Sequence, residues 1–163
     1  RPPCAGPPGP RGNGYGRITT ATDRTRIQAL IPHQGAMCLW DEVLAWDPQS
    51  IQLAGQGHRD PAHPLRSGDR LHAVHLCEYG AQAMAVHGGL LGEQRGAAVS
   101  GGLLVALRDV RLQLSRIDDL PDALQCTAEV LALDERSQQS RFVLTHRRQT
   151  LAEGRAMVML QPR

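Results

Sequence analysis

The stretch that most constrains the fold is residues 71–91, LHAVHLCEYGAQAMAVHGGLL. Ala73, Leu76, Cys77, Ala83, Met84 and Val86 are apolar and alanine recurs, which predicts a helix of about 18 residues. Asp69 is the expected N-cap, and Gly88-Gly89 the expected C-terminal end. A helix so uniformly apolar must be wrapped on several sides. One carboxylate interrupts it. Glu78 lies among Val74, Leu76, Cys77, Ala81 and Ala83, and a charge in such surroundings rarely lacks a role. The bland alternatives are a charge at a dimer seam or a partner for an arginine. Gln82, one turn on, shares the face of Glu78. It would either orient the carboxyl or satisfy a polar seam. His75, three positions earlier, shares that face too.

The wrapping is expected from strands. Residues 36–46, AMCLWDEVLAW, read as one. Residues 50–56 read as a second, after a short Asp47-Pro48-Gln49 turn. A short helix or turn is expected around Asp23–Leu30. Residues 58–70 contain two prolines and a Ser-Gly-Asp signal, hence a loop. After the helix, residues 101–114 alternate with a phase shift at Arg108-Asp109, which predicts a bulge. Residues 124–133 alternate cleanly. Asp134–Ser137 is a turn, residues 141–146 alternate, and residues 156–160 form a last strand after a turn at Gly154. Short turns make neighbours antiparallel, so the class is α+β: one long buried helix and one curled antiparallel sheet. Aromatics are 3% against 41% hydrophobic residues, so the core is aliphatic.

Residues 1–16, RPPCAGPPGPRGNGYG, are too rich in Pro and Gly to bury apolar surface and read as a flexible tail. The domain is expected over residues 17–163. A net charge of +2 gives no electrostatic case for nucleic acid. All 18 cationic residues are arginine, so no lysine Schiff base forms. Cys4, Cys38, Cys77 and Cys126 are scattered, without metal-site spacing, as in a reducing compartment. No apolar run approaches the roughly 20 residues of a membrane span, and no secretory h-region follows Arg1. A cytoplasmic location is expected. His58, His63, His72 and His75 form no zincin pattern, so no metal is expected.

Three segments resemble the 3-hydroxyacyl–acyl carrier protein dehydratases. Residues 27–44 are Ile27-x-x-Leu30-Ile31-Pro32-His33-x-x-x-Met37-x-Leu39-x-Asp41-x-Val43-Leu44, similar to that family's opening I-x-x-L-L-P-H-R-x-P-F-x-L-x-D-x-V. Gly57-His58 closes a strand before a Pro-containing loop. Glu78-x-x-x-Gln82-Ala83 lies on the central helix. The resemblance covers roughly residues 22–161 and implies a hot-dog fold, a curled sheet around one helix. It departs in the His58–Arg66 loop, in a spacing of 20 positions from His58 to Glu78 that exceeds the family's usual gap, and in lacking an obvious helix-opening glycine. The pattern looks more like the divergent dehydratases of aryl-polyene and xanthomonadin pigment clusters.

The resemblance implies elimination of water from a carrier-bound 3-hydroxyacyl thioester. Such chemistry needs a base at C2, an acid at the C3 hydroxyl and donors to the thioester oxygen. His58 would be the base, with His75 as its rival, and Glu78 the acid, since a carboxyl in an apolar site holds its proton. Gln82 would support Glu78. The thioester oxygen is expected to face free amides near Leu71–Ala73, at the helix start. His33, His63, His72 and His87 read as structural or exposed. In that family the histidine and carboxylate meet across a dimer, so a homodimer or a heterodimer with another hot-dog subunit is expected. An acidic acyl carrier protein would be the partner bringing substrate on phosphopantetheine, without any other cofactor. Arg59, Arg66 and Arg70 would guide it, unless they only solubilise the loop. Two alternatives remain: an acyl thioesterase using Glu78, or an inactive subunit that steadies an active dehydratase.

Overall fold

The structure, a computed structural model, describes residues 22–96 and 102–160; the tail expected over residues 1–16 lies outside them. The elements run β1 (Thr22–Asp23), α1 (Arg24–Leu30), β2 (Glu42–Trp46), β3 (Ser50–Gly55), α2 (Leu76–Gln94), β4 (Gly102–Leu112), β5 (Leu124–Leu133), β6 (Ser137–His146) and β7 (Gln149–Leu160). The strands form one seven-stranded sheet in the order β1-β2-β3-β5-β6-β7-β4, antiparallel throughout. Helix α2 touches β3, β4, β5, β6 and β7, so the sheet curls about it.

Alternation produces this. Ile51 and Leu53 of β3, Cys126 and Ala128 of β5 and Phe142 and Leu144 of β6 point inward and are buried against Leu76, Ala83, Val86 and Leu90 of α2. Each large aliphatic side chain so buried contributes about 1.5–3 kcal/mol. The chain's single phenylalanine, Phe142, occupies a slot between α2 and β7. A Cβ at Gly80 would lie 2.6 Å from its ring, and one at Gly154 would lie 2.8 Å from Cζ.

Several boundaries differ from expectation. Helix α2 begins at Leu76, after a 3-10 turn over Ala73–His75. Its N-cap is His75, which makes no side-chain capping bond, and Asp69 is exposed in the loop. The helix runs through Gly88-Gly89 to Gln94. Gly89 serves packing instead: its Cβ would sit 3.0 Å from Leu30 Cβ on α1. The left-handed residue after the helix is Gly96, at φ +67°, as such ends favour. Residues 35–37 form a 3-10 turn, so β2 starts only at Glu42. Gly154 lies inside β7, not in a turn. The β6–β7 hairpin turns at Arg147 and Arg148, with φ of 49° and 65°, where Asn-Gly is the usual signal. The bulge at Arg108-Asp109 is present, with a register shift between Arg108 and Arg111 and Asp109 at φ 52°. No helix among the described residues is long and apolar enough to cross a membrane.

Candidate active site

Glu78 stands in the first turn of α2, and two side chains close on it. The first is His33. Pro32 forces Ile31 out of helical conformation (φ −125°, ψ 156°) and so ends α1. The Gln34 side chain donates to the carbonyls of Gln28 and Ile31, satisfying that helix end. The extended chain then brings His33 Nε2 to 3.4 Å from Glu78 Oε1, with both side chains about one-third exposed (33% and 35%). His33 Nδ1 is buried without a partner.

The second is Gln82, 1% exposed. Its Oε1 accepts from Leu39 N–H at 3.0 Å, so its amide orientation is settled. Its Nε2 donates to Met37 O at 2.6 Å and reaches Glu78 Oε1 at 3.5 Å. One amide therefore fixes the carboxyl and the segment that follows His33. Glu78 is reachable from solvent and is less deeply enclosed than its apolar helix implies.

His58 occupies a 3-10 turn after β3 and is 1% exposed. Its Nε2 lies 2.8 Å from Leu120 O. A carbonyl only accepts, so Nε2 carries the proton and Nδ1, buried and unpartnered, keeps its lone pair. Burial lowers its pKa, with His146 and Arg59 adding to the effect and the Leu120 carbonyl and Asp118 opposing it. The lowered pKa favours the neutral ring, with its lone pair at Nδ1. No hydrogen bond or ion pair joins His58 to Glu78 within the protomer. His75, at the N-cap of α2, is half-buried and makes no hydrogen bond or ion pair with Glu78 either.

Two of the three amides expected to face a thioester oxygen are already engaged. Leu71 N–H donates to Asp118 Oδ1 at 2.9 Å and Ala73 N–H to Ser115 O at 2.9 Å. Asp118 is held well below the usual carboxylate range, chiefly by its hydrogen bond from Arg116. The loop arginines are tethered. Arg59 donates to Pro121 O, Arg66 donates to Asp69 O and Arg59 O, and Arg70 lies 4.0 Å from Asp69. Arg66 staples the loop; Arg59 and Arg70 keep exposed charge. Among the described residues no group of three or more His, Cys, Asp or Glu side chains gathers as a metal site.

Sequence reasoning passed over His33. Its signal was the Ile31-Pro32-His33 run itself, which stops α1 and turns the chain toward the helix start.

A curled antiparallel sheet around one long helix is a hot-dog domain, and this one sets a carboxyl and a histidine side by side at the start of that helix. The chain belongs to the ApeP-like dehydratase family, whose model, described as ApeP dehydratase, matches residues 25–163. Among solved structures it resembles the dehydratase heterocomplex ApeI:P from Xenorhabdus doucetiae. That match is 22% identical, with a TM-score of 0.77, over 84% of this chain and 91% of the other. It also resembles zebra fish thioesterase superfamily member 2, at 17% identity and a TM-score of 0.58, over 85% and 95% of the two chains. No curated protein matches it.

Proposed function

We propose that this protein is a subunit of a 3-hydroxyacyl–acyl carrier protein dehydratase that converts a carrier-bound 3-hydroxyacyl thioester to the trans-2-enoyl thioester, in fatty-acid-like or aryl-polyene synthesis. The observation that carries the reading is the meeting of Glu78 with His33 and Gln82 at the partly exposed start of α2, in a chain of the dehydratase family. The histidine takes the C2 proton, the C2=C3 bond forms, and the C3 hydroxyl leaves as water with a proton from the Glu78 carboxyl. Histidinium and carboxylate are then left 3.4 Å apart, and passing the proton from one to the other restores the starting state. His33 is the histidine that the fold brings to Glu78. His58, with its bare Nδ1, serves instead if it meets a carboxyl of the partner subunit.

A partner subunit fits β4. This edge strand turns Leu104, Leu107 and Leu112 to the core side, opposite Val158, Ala156 and Ala152 of β7. The three leucines remain 39–40% exposed. A second hot-dog subunit that extends the sheet at β4 would cover them, and an unpaired apolar edge invites such pairing. The solved heterocomplex favours a non-identical partner.

The test is to incubate the protein, alone and with its partner subunit, with a 3-hydroxyacyl carrier protein and to follow the bound acyl group by mass. Loss of water supports the reading; release of free acid would make it a thioesterase. Activity only with the partner, surviving Glu78→Ala and His33→Ala, would make this chain a non-catalytic subunit. Activity lost in His58→Ala but kept in His33→Ala would return the base role to His58.

A further inference from the structure

We propose that His63 is a positioning residue: acting through Tyr79, it fixes the first turn of α2 and with it the Glu78 carboxyl. The inference rests on the dehydratase reading for its kinetic consequence, but its physical link stands apart from that reading. His63 lies in the loop over residues 58–70 and is buried. Leu65 N–H donates to His63 Nδ1 at 3.1 Å. An accepting Nδ1 puts the ring proton on Nε2, which donates to Tyr79 Oη at 3.0 Å. The two rings stack at 6.2 Å between centroids and 21° between planes. Burial, reinforced by Arg66 and His75 and opposed by Asp60, lowers the His63 pKa and keeps this neutral form.

Tyr79 follows Glu78 directly and is held at both ends. Its hydroxyl accepts from His63, and its carbonyl accepts from Trp40 Nε1 at 2.9 Å. The Trp40 and Tyr79 rings meet edge to face at 5.3 Å and 85°. These ties matter because the helix start has no side-chain cap. An uncapped first turn frays unless tertiary contacts hold it. Among the described residues, His63–Tyr79 is the hydrogen bond that fastens the 58–70 loop to α2. The carboxyl is therefore gripped from two sides: by Gln82 and His33 on one, and through Tyr79 by His63 on the other.

The test uses Tyr79→Phe, His63→Leu and His63→Gln in the assembled protein. Tyr79→Phe keeps the ring and loses the acceptor; His63→Gln keeps an N–H donor near the position of Nε2. Displacing a catalytic group by a fraction of an ångström costs roughly ten- to a hundredfold in rate. Tyr79→Phe and His63→Leu should each lower kcat within that range, about equally and without compounding in the double variant, while KM changes less than about threefold. His63→Gln should recover most of kcat. Unchanged kcat in Tyr79→Phe, or a Gln variant as poor as Leu, overturns the proposal. If the wild type dehydrates nothing, the dehydratase reading fails while the link is still tested by the 13C resonance of the Glu78 carboxyl in labelled protein. A resonance that moves in Tyr79→Phe and returns toward the wild-type position in His63→Gln supports positioning. A resonance identical in Tyr79→Phe and wild type refutes it.

Discussion

Gly80→Ala sets two known effects against each other. On an exposed helix the change stabilises by about 1 kcal/mol, through propensity. Here the new Cβ would lie 2.6 Å from both Cγ and Cδ2 of Phe142, and 3.0 Å from Cδ1. Ordinary contact begins at 3.4 Å, so the ring or the helix must shift by nearly an ångström. The ring has nowhere to go. Phe142 is fully buried, and its far edge faces the Gly154 backbone so closely that a Cβ there would sit 2.8 Å from Cζ. Overpacking of this kind costs about 1–3 kcal/mol or more, and the absence of slack points to the upper part of that range. The net loss is about 1–2 kcal/mol, which for a chain of this length lowers Tm by roughly 3–8 °C. Thermal and urea unfolding followed by circular dichroism measure it. Phe142→Leu supplies the control: with the ring gone, Gly80→Ala should become neutral or stabilising, a coupling of more than about 1 kcal/mol. An equal loss in both backgrounds, or a raised Tm in the single variant, would refute the slot.

Acid should destabilise the fold. Burial lowers the pKa of His58, His63 and His87, so below about pH 6.5 the unfolded chain binds protons that the folded chain refuses. Stability should be full above pH 7 and fall on acidification by at most about 1.4 kcal/mol per pH unit for each histidine. A urea midpoint that stays level between pH 7 and 5 would contradict this. Glu78→Gln should cut dehydration by roughly 10²–10⁴ while leaving the Tm within about 3 °C, since Gln is nearly isosteric and the group is partly exposed. Leu107→Arg on β4 should leave the circular dichroism spectrum intact and convert the assembled species to monomer in sedimentation; an unchanged sedimentation coefficient would place the interface elsewhere.

Local pattern revealed what depends on local pattern. Strand β5 runs over Leu124–Leu133 as its alternation indicates, because Leu124, Cys126 and Ala128 meet the same core. The bulge at Asp109 was visible as a break in phase. The helix ends were not legible, because the usual punctuation had been put to other uses. Asp69 reads as a cap but lies inside the closed Ser67–Arg70 turn, and the residue before the Ala73–His75 3-10 segment is His72. Gly88-Gly89 look like a stop, yet Gly89 lets α1 and α2 touch. Gly154 looks like a turn and instead makes room for Phe142. Glu78 and Gln82 could be paired by helical spacing alone. His33 could not, since its approach to Glu78 exists only once Pro32 has ended α1 and the core has set that helix against α2.

The same separation explains why the carboxyl is legible and its histidine is not. Glu78 is marked by its place on an apolar helix, a property of nearby sequence. A histidine partner is defined by tertiary or quaternary approach, and two histidines are candidates: His33, already at 3.4 Å, and His58, with a bare Nδ1 and no hydrogen bond to an acid. A ring nitrogen left unpartnered in a buried site costs stability, and two such nitrogens, His33 Nδ1 and His58 Nδ1, carry that cost in the isolated protomer. Assembly at β4 is the event that would decide between them. If His58 Nδ1 comes to face a carboxyl of the partner subunit on assembly, His58 is the base; if it stays buried and unpartnered, His33 is. A 15N titration of both rings, before and after the partner is added, reads this directly: the ring whose signals become insensitive to pH on assembly is the structural one. Two rings that titrate alike in both states would break the argument.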